Sequence, residues 1–348
     1  MRPKFSNWLR SCFGKTNQPR SLRPLLEGYR ASALLFVTAK LKIPDQLSRG
    51  ALTSGEIAKN IGADEPSLHR LLRGLVTLGL CDEFPDGSFH LTPLGEKLRS
   101  NSPGSEYSEA ILNGEEYAAA WTHLFHSVLT GETAFDHVFG ESAWEHRQKN
   151  PEINERFNLW LERGAAATGE GLAGAYDFSR HKRVADIGGG QGALLESALR
   201  AHPSLQGILF DQSHVVAAAR KRFESADVAS RCRIIEGDFF TTIPVDADVF
   251  ILKSVLHDWD DTKCSQILRN CRESLKSGGT LLVLEKIMPA RASDLPSTIM
   301  SDLHMLAVTG GKERTEEEYR ALLKTAGFEW KKNIPLRTGH TAMEFIRS

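Results

Sequence analysis

Residues able to do chemistry gather in a few short stretches. The first is Asp186-Ile187-Gly188-Gly189-Gly190-Gln191-Gly192, which follows an apolar run and precedes a helical one. Glycines there let the backbone turn tightly and approach a ligand closely. The amino terminus of the helix beyond them offers unpaired N–H groups. Gly188, Gly190 and Ala193 also satisfy the loose dinucleotide fingerprint G-x-G-x-x-(G/A). The loop alone therefore does not separate a nicotinamide site from another nucleoside site, or from a tight turn with no ligand. Asp211 ends the next apolar run, 23 residues after Gly188. A carboxylate there can accept both hydroxyl protons of a ribose. Asp238, in Gly237-Asp238-Phe239-Phe240, is placed to accept from an adenine amino group, with Phe239 covering the base. Asp186 at the loop entrance is hostile to a pyrophosphate and suits orienting the loop or facing a cationic amino-acid end through water. Together these features favour a nucleoside carrying positive charge over a dinucleotide.

The second constellation is Lys253-Ser254-Val255-Leu256-His257-Asp258-Trp259-Asp260-Asp261. His257 lies just past a strand end, on the ligand side of a parallel sheet, and histidine takes a proton readily near neutral pH. Glu285 ends the following strand, and Glu313 comes from the later loop Gly310-Gly311-Lys312-Glu313-Arg314. Carboxylates near an imidazole hold its tautomer and keep it basic. A general base is the leading reading of His257. A divalent metal held by His257, Asp258, Asp260 or Asp261 and a purely structural histidine are the alternatives. Asp260 and Asp261 serve equally well to cap the helix that follows them.

Positioning these residues requires strands that alternate with helices. Strands are expected at 184–187, 207–210, 232–236, 248–252, 280–284 and 343–346, and helices at 191–201, 213–223, 261–275 and 319–326. That alternation predicts an α/β fold, a Rossmann-like domain with a mostly parallel sheet covered on both faces. Ligands in such folds bind beyond the carboxyl ends of the strands. Upstream, 25–39 reads as a helix and 42–47 as a short turn. Thr53-Ser54-Gly55-Glu56 is a capping-box pattern, and Asp64 caps a second helix with Leu68, Leu71, Leu72 and Leu75 on one stripe. Two strands around Pro85-Asp86-Gly87 complete a winged-helix-like shape. Its second helix carries His69, Arg70 and Arg73 beside Asp64 and Glu65. That basic face is thin for reading DNA, so packing or dimerisation is the expected role and nucleic acid is not an expected partner. Residues 105–178 read as helical and rich in aromatics, among them Trp121, Phe135, Trp144, Phe157 and Trp160, some of them suited to lining an apolar pocket. The expected organisation is a basic tail at 1–20, a dimerisation domain at 21–104, a helical linker and acceptor-pocket region at 105–178, and a catalytic domain at 179–348.

Composition limits the rest. The 348 residues are 41% hydrophobic and 25% charged, enough to bury a sizeable core without disulfides. Lys plus Arg is 43 and Asp plus Glu 44, a net charge of −1, so no long-range pull toward nucleic acid or acidic lipid is expected. No stretch approaches 18 uninterrupted apolar residues, so no membrane span is expected. Five cysteines, an odd number with no C-x-x-C, read as free thiols in a reducing, cytoplasmic setting. Cys264 and Cys271, seven apart in a helical stretch, are expected to face the same way.

The glycine loop, Gly237-Asp238-Phe239-Phe240, Leu256-His257-Asp258-Trp259-Asp260-Asp261 and Gly310-Gly311-Lys312-Glu313-Arg314-Thr315 occur in this order. In that combination, over residues 25 to 348, the sequence resembles the S-adenosylmethionine-dependent O-methyltransferases of the plant caffeate and bacterial polyketide-tailoring type. The resemblance implies a homodimer built largely through the amino-terminal region, and a small aromatic acceptor. It implies S-adenosyl-L-methionine as cofactor and S-adenosyl-L-homocysteine as product. The loop Gly188–Gly192, with Asp186 at its entrance, would hold the methionine part, Asp211 the ribose, and Asp238 and Phe239 the adenine. Lys253 matches a cofactor-contacting lysine, with Trp259 near the same site. His257 matches the catalytic base, Glu285 and Glu313 its flanking carboxylates, and Asp302 and Met305 residues close to the acceptor. No resident metal is implied. Members of the family have drifted to hydroxylation or decarboxylation; His257 argues for methyl transfer. The competing readings are a nicotinamide-dependent oxidoreductase and a winged-helix transcriptional regulator.

Overall fold

In the computed structural model, which describes residues 22–224 and 226–348, the chain divides into two units at Ala118/Ala119. The division falls inside the helical stretch 105–178. The basic tail expected at 1–20, and Cys12 within it, lie outside the described residues.

The first unit is built from the capping signals of its sequence. Helix α1 spans Gly28–Lys40, α2 Ser54–Ile61 and α3 Glu65–Leu78. The Thr53 hydroxyl accepts from the Glu56 N–H while the Glu56 carboxylate accepts from the Thr53 N–H, so two helix-start donors are satisfied reciprocally. Asp64 accepts from the Ser67 N–H at 3.0 Å and starts α3. Strands β1 (Leu52–Thr53), β2 (Cys81–Glu83) and β3 (Ser88–Leu91) form a small antiparallel sheet in the order β1-β3-β2. Leu68, Leu72 and Leu75 of α3 pack with Ile57 and Phe89, and Leu71 lies half-buried beside them. The helix–helix–hairpin order is the expected one. Lys42–Leu47 differs: Ile43–Leu47 is a short helix rather than a turn, because Ile43, Pro44 and Leu47 on one side of it are buried.

The second unit holds the central sheet. Short helices cover Leu124–Thr130, Ala134–Phe139 and Ala143–Lys149, and the long helix α4 runs from Pro151 to Ala175. Then come β4 (Arg183–Ile187), α5 (Ala193–Ala201), β5 (Gln206–Asp211), α6 (Ser213–Glu224), β6 (Cys232–Glu236) and β7 (Val249–Lys253). The chain continues through α7 (Asp261–Ser274), β8 (Thr280–Glu285), α8 (Pro296–Val308), α9 (Glu316–Thr325), β9 (Phe328–Pro335) and β10 (Thr341–Arg347). Among the described residues the sheet order is β6-β5-β4-β7-β8-β10-β9. The pairs from β6 to β8 are parallel, and β10 runs antiparallel to both β8 and β9.

All six residues of β8 are buried, as expected for a strand covered on both faces. One face packs α7 and α9 through Ile267, Leu268, Tyr319 and Leu323. The other packs α4, α5 and α6 through Leu172, Leu195, Leu199 and Phe223. Cys264 and Cys271 do lie together on the buried side of α7. Helix α8 has no counterpart in the sequence expectation. Its apolar residues (Ile299, Met300, Leu303, Met305, Leu306, Val308) fall on several faces and give no single stripe. The chain leaves β4 for β5 on one side and returns to β7 on the other, so a crevice opens beyond the carboxyl end of β4. No described helix is long and apolar enough to cross a membrane.

Candidate active site

The glycine loop follows β4 into that crevice. Gly188, Gly190 and Gly192 have φ of +68°, +61° and +83°, which only glycine adopts freely. The Gly190 N–H donates to Asp211 Oδ2 at 2.7 Å, and Asp211 Oδ1 accepts from the Gln212 N–H at 2.7 Å. Asp211, at the end of β5, is thus fixed against the loop. The loop, Asp186, Lys253 and Ser254 line one cleft together with Asn158 and Glu162 of α4. Asp186 is 1% exposed, and its Oδ2 has no hydrogen-bond partner. Burial pushes it up to about 7, with Asp211 adding to the shift and Lys253 opposing it. Burial likewise raises Asp211 to about 6 against the N–H groups of Gln212 and Gly190. Burial lowers the Lys253 ammonium.

Asp211, Asp238, Phe239 and Trp259 are not among the residues lining the cleft, although Asp211 and Phe239 touch its glycine loop. The Phe239 ring lies so close to Gly188 that a Cβ there would meet it at 3.3 Å. Asp238 is exposed and accepts from the Phe240 N–H at 2.8 Å. Asn270 of α7 donates to the Phe239 carbonyl at 2.7 Å and holds this turn in place. Trp259 stands edge-on to Phe239 and Phe240 and stacks on Trp144, with ring centroids 5.6 Å apart. Gly192 does not line the cleft. A Cβ there would come within 2.5 Å of Phe223, so its role is to let the turn pack on α6.

A second cluster forms where β7 and β8 end. His257 Nδ1 lies 3.1 Å from Glu313 Oε1 and 3.8 Å from Glu285 Oε2. Its Nε2 is 3.8 Å from Asp258 Oδ1. Glu285, fully buried, accepts from the N–H groups of Val255 and Leu256 at 3.1 and 2.9 Å and so shapes the loop that carries His257. Glu313 Oε1 also accepts from Ser301 Oγ at 2.7 Å, and Lys286 Nζ donates to that hydroxyl at 3.3 Å. Burial by itself would lower His257, but Glu285, Asp258 and Glu313 outweigh it and carry the imidazole up to about 9. Burial pushes Glu285 up to about 7 against the pull of His257. Burial also favours the neutral form of Glu313, yet the hydrogen bonds from His257 and Ser301 hold it below its ordinary value. A carboxylate only accepts, so the neutral ring carries its proton on Nδ1 toward Glu313, and Nε2 is the atom able to take another.

The metal alternative is not assembled as the sequence poses it. Asp260 caps α7, accepting from Thr262 and Lys263, and Asp261 accepts from Arg314. Ligand atoms of His257, Glu285 and Glu313 do lie within 4.8 Å of one another. One oxygen of each carboxylate is engaged, Glu285 Oε1 by the Val255 and Leu256 N–H groups and Glu313 Oε1 by Ser301 and His257, while the Oε2 of each has no hydrogen-bond partner. Asp302 accepts from the Glu313 N–H at 2.9 Å and so holds that loop. Met305 is buried one turn further along α8.

Several residues at the site carried no sequence signal of their own. Arg314 is 1% exposed, and its guanidinium donates to the carbonyls of Leu256 and Trp259, both at 2.8 Å, and to Asp261 at 2.7 Å. A Cβ on Gly311 would lie 2.0 Å from the His257 carbonyl oxygen, so the two loops touch backbone to backbone. Trp121 donates to His304 Nδ1 at 3.1 Å, beside Met305 in the chain. Arg314 and Gly311 stand in a quoted motif, but nothing in their spacing announces a buried clamp.

Residues 121–329 match the O-methyltransferase domain, and residues 24–101 match the O-methyltransferase dimerisation domain. The chain is 40% identical over 323 residues to the phenazine O-methyltransferase PhzM of Lysobacter antibioticus, covering 93% of this chain and 94% of that protein. The crystal structure of LaPhzM superposes with a TM-score of 0.90 at 40% identity, over 94% of this chain and 98% of that one. An O-methyltransferase (NcsB1) from neocarzinostatin biosynthesis was solved in complex with S-adenosylmethionine and 2-hydroxy-5-methyl naphthoic acid. It superposes with a TM-score of 0.81 at 32% identity, over 91% and 96% of the two chains. With both domains matched in order and such relatives aligned over nine-tenths of its length, the chain belongs to the O-methyltransferase family.

Proposed function

We propose that this enzyme transfers a methyl group from S-adenosylmethionine to a hydroxyl, phenolic in type, of a small planar aromatic metabolite, with His257 as general base. The observation that carries the reading is the His257–Glu313 contact of 3.1 Å with Glu285 behind it, on the same sheet edge as the glycine-loop cleft. The cleft fits the cofactor: Asp211 is poised at a strand end for ribose hydroxyls, and Asp186 offers a buried, unpartnered oxygen to a cationic group. When bound, S-adenosylmethionine supplies a methyl already activated on a sulfonium. The protein then has to hold the acceptor oxygen in line and take its proton. A phenol has a pKa near ~10 and is a poor nucleophile while protonated. A base whose conjugate acid lies at about 9 accepts that proton at little cost. Glu313 and Glu285 orient the ring and stabilise its charged form. Trp144, stacked on Trp259, supports an aromatic wall that excludes water.

A phenazine O-methyltransferase and a complex holding a naphthoic acid among the relatives support a planar aromatic substrate. The dimerisation-domain match supports a homodimer. The four described cysteines, all free thiols, support a reducing, cytoplasmic setting. No observation favours the nicotinamide, regulator or drifted-chemistry readings. The test is His257→Ala, assayed with S-adenosylmethionine and a panel of hydroxyphenazines and hydroxynaphthoates. Turnover is expected to fall about 10²- to 10⁴-fold, while calorimetric affinity for S-adenosylhomocysteine stays unchanged. Full turnover in the variant would remove His257 from the mechanism.

A further inference from the structure

Ser254 follows Lys253, the last residue of β7, and lines the same cleft as Asp186 and the glycine loop. Its φ of +52° is in the left-handed region, which side-chain-bearing residues rarely adopt. A chain of polar groups leads away from it. Ser254 Oγ is 3.3 Å from His340 Nε2, in the turn between β9 and β10. His340 Nδ1 is 3.3 Å from Thr338 Oγ1, and Thr338 Oγ1 is 3.3 Å from Thr168 Oγ1 on α4. Thr168 is fully buried, and its Oγ1 lies 2.8 Å from the Gly164 carbonyl oxygen.

The far end of this chain sets the direction of every bond in it. A carbonyl oxygen only accepts, so Thr168 donates to Gly164. Thr168 has one proton for two oxygens; the carbonyl at 2.8 Å takes it over Thr338 Oγ1 at 3.3 Å, so Thr168 accepts from Thr338. Thr338 in turn accepts from the Nδ1–H of His340. The neutral imidazole then has a bare Nε2, to which Ser254 donates. Burial, with Lys253, Lys286 and His257 close by, holds His340 down to about 3, so the ring is neutral at physiological pH. Ser254 has therefore turned its only proton away from the cleft, and what remains on its oxygen are acceptor lone pairs. Asp186 lines the same cleft, and its Oδ2 is buried without a hydrogen-bond partner. Two acceptors in one cleft suit a ligand group that only donates, and an alkylammonium is such a group.

We propose that Ser254 is an acceptor-only subsite for the ammonium at the amino-acid end of the cofactor, set in that role by the His340–Thr338–Thr168 chain. This rests on the cofactor reading above. A hydrogen bond to a charged group of this kind corresponds to about a tenfold change in affinity.

The experiment is calorimetry on the full chain with two probes. S-adenosylhomocysteine carries the ammonium; 5′-methylthioadenosine has the same nucleoside thioether without the amino-acid end. Ser254→Gly removes the hydroxyl and accepts the positive φ, so the variant keeps its backbone. Expected is about a tenfold rise in Kd for S-adenosylhomocysteine with no change for 5′-methylthioadenosine. His340→Ala, which frees the serine proton, is expected to weaken S-adenosylhomocysteine in the same selective way by a smaller factor. Equal losses for both probes in Ser254→Gly, or no loss for either, would overturn the subsite. Wild-type protein that binds neither probe would overturn the cofactor reading itself.

Discussion

His257 combines two properties that pull in opposite directions. Its carboxylate neighbours raise its proton affinity toward that of a phenol, yet the same neighbours keep it protonated in the free enzyme at pH 7. A general base works only when neutral. Hence kcat/KM is expected to rise with pH through the ordinary histidine range and to level off near the imidazole's own value of about 9. Glu313 supplies the closest carboxylate, so Glu313→Gln removes part of the upward shift. The midpoint of the rising limb is expected to move to lower pH, and kcat to fall because the imidazolium loses the negative charge beside it. A pH–rate profile of both proteins checks this; an unmoved midpoint would mean that another group sets it. His257 and Glu285 were legible in the sequence, because the parallel αβ pattern brings the carboxyl ends of its strands to one edge, and Glu313 through the motif of its loop. Ser301, which holds Glu313 from a separate helix, was not, since no local pattern marks which hydroxyl meets which carboxylate.

The elements that decide the site are two loops, 254–260 and 310–314. They meet through Gly311, where a side chain would strike the His257 carbonyl, and through Arg314, whose guanidinium joins the carbonyls of Leu256 and Trp259 to Asp261. Gly311→Ala is expected to push the loops apart and to move Glu313 away from His257. An ångström-scale displacement of catalytic groups costs on the order of 10²-fold in rate. Affinity for S-adenosylhomocysteine should fall far less than turnover, because the proposed cofactor cleft is lined mainly by the glycine loop, α4 and Lys253. Turnover set against calorimetric Kd separates the two effects. Wild-type turnover would show that the contact is slack. The helices and strands were readable from caps and periodicity: Thr53 and Asp64 start α2 and α3 where the sequence places them. The short helix at Ile43–Leu47 and the helix α8 were not, because tertiary burial rather than a clean stripe stabilises each.

At the scale of the whole molecule, the first unit presents apolar side chains to solvent at its amino-terminal end. Leu25, Leu26 and Tyr29 are 52%, 73% and 67% exposed, inside the segment that matches the dimerisation domain. Exposed apolar side chains within a dimerisation-domain match are the candidates to be covered by a partner. The wild-type protein is expected to have the mass of a dimer by light scattering, and the double variant Leu26→Glu, Tyr29→Glu that of a monomer. A variant that remains dimeric would place the interface elsewhere on the chain.

The sequence by itself determined the alternation of strands β4 to β8 with helices α5, α6 and α7, the glycine turn after β4, and that His257 and Glu285 fall at the ligand edge. Those follow from local rules: periodicity, capping, and the geometry that parallel strands impose. Only the tertiary structure decided what each polar group touches. The pairs that tune the site are far apart in the chain: His257 with Glu313 over 56 residues, Arg314 with Asp261 over 53, Ser254 with His340 over 86. A hydrogen bond depends on distances of a few tenths of an ångström and on the rotamers of both partners. Those are fixed by how the packed faces meet, which no local stretch of sequence encodes. The same packing buries Asp186, Glu285 and Arg314 and so sets their charge states and partners, while their residue types alone leave both open.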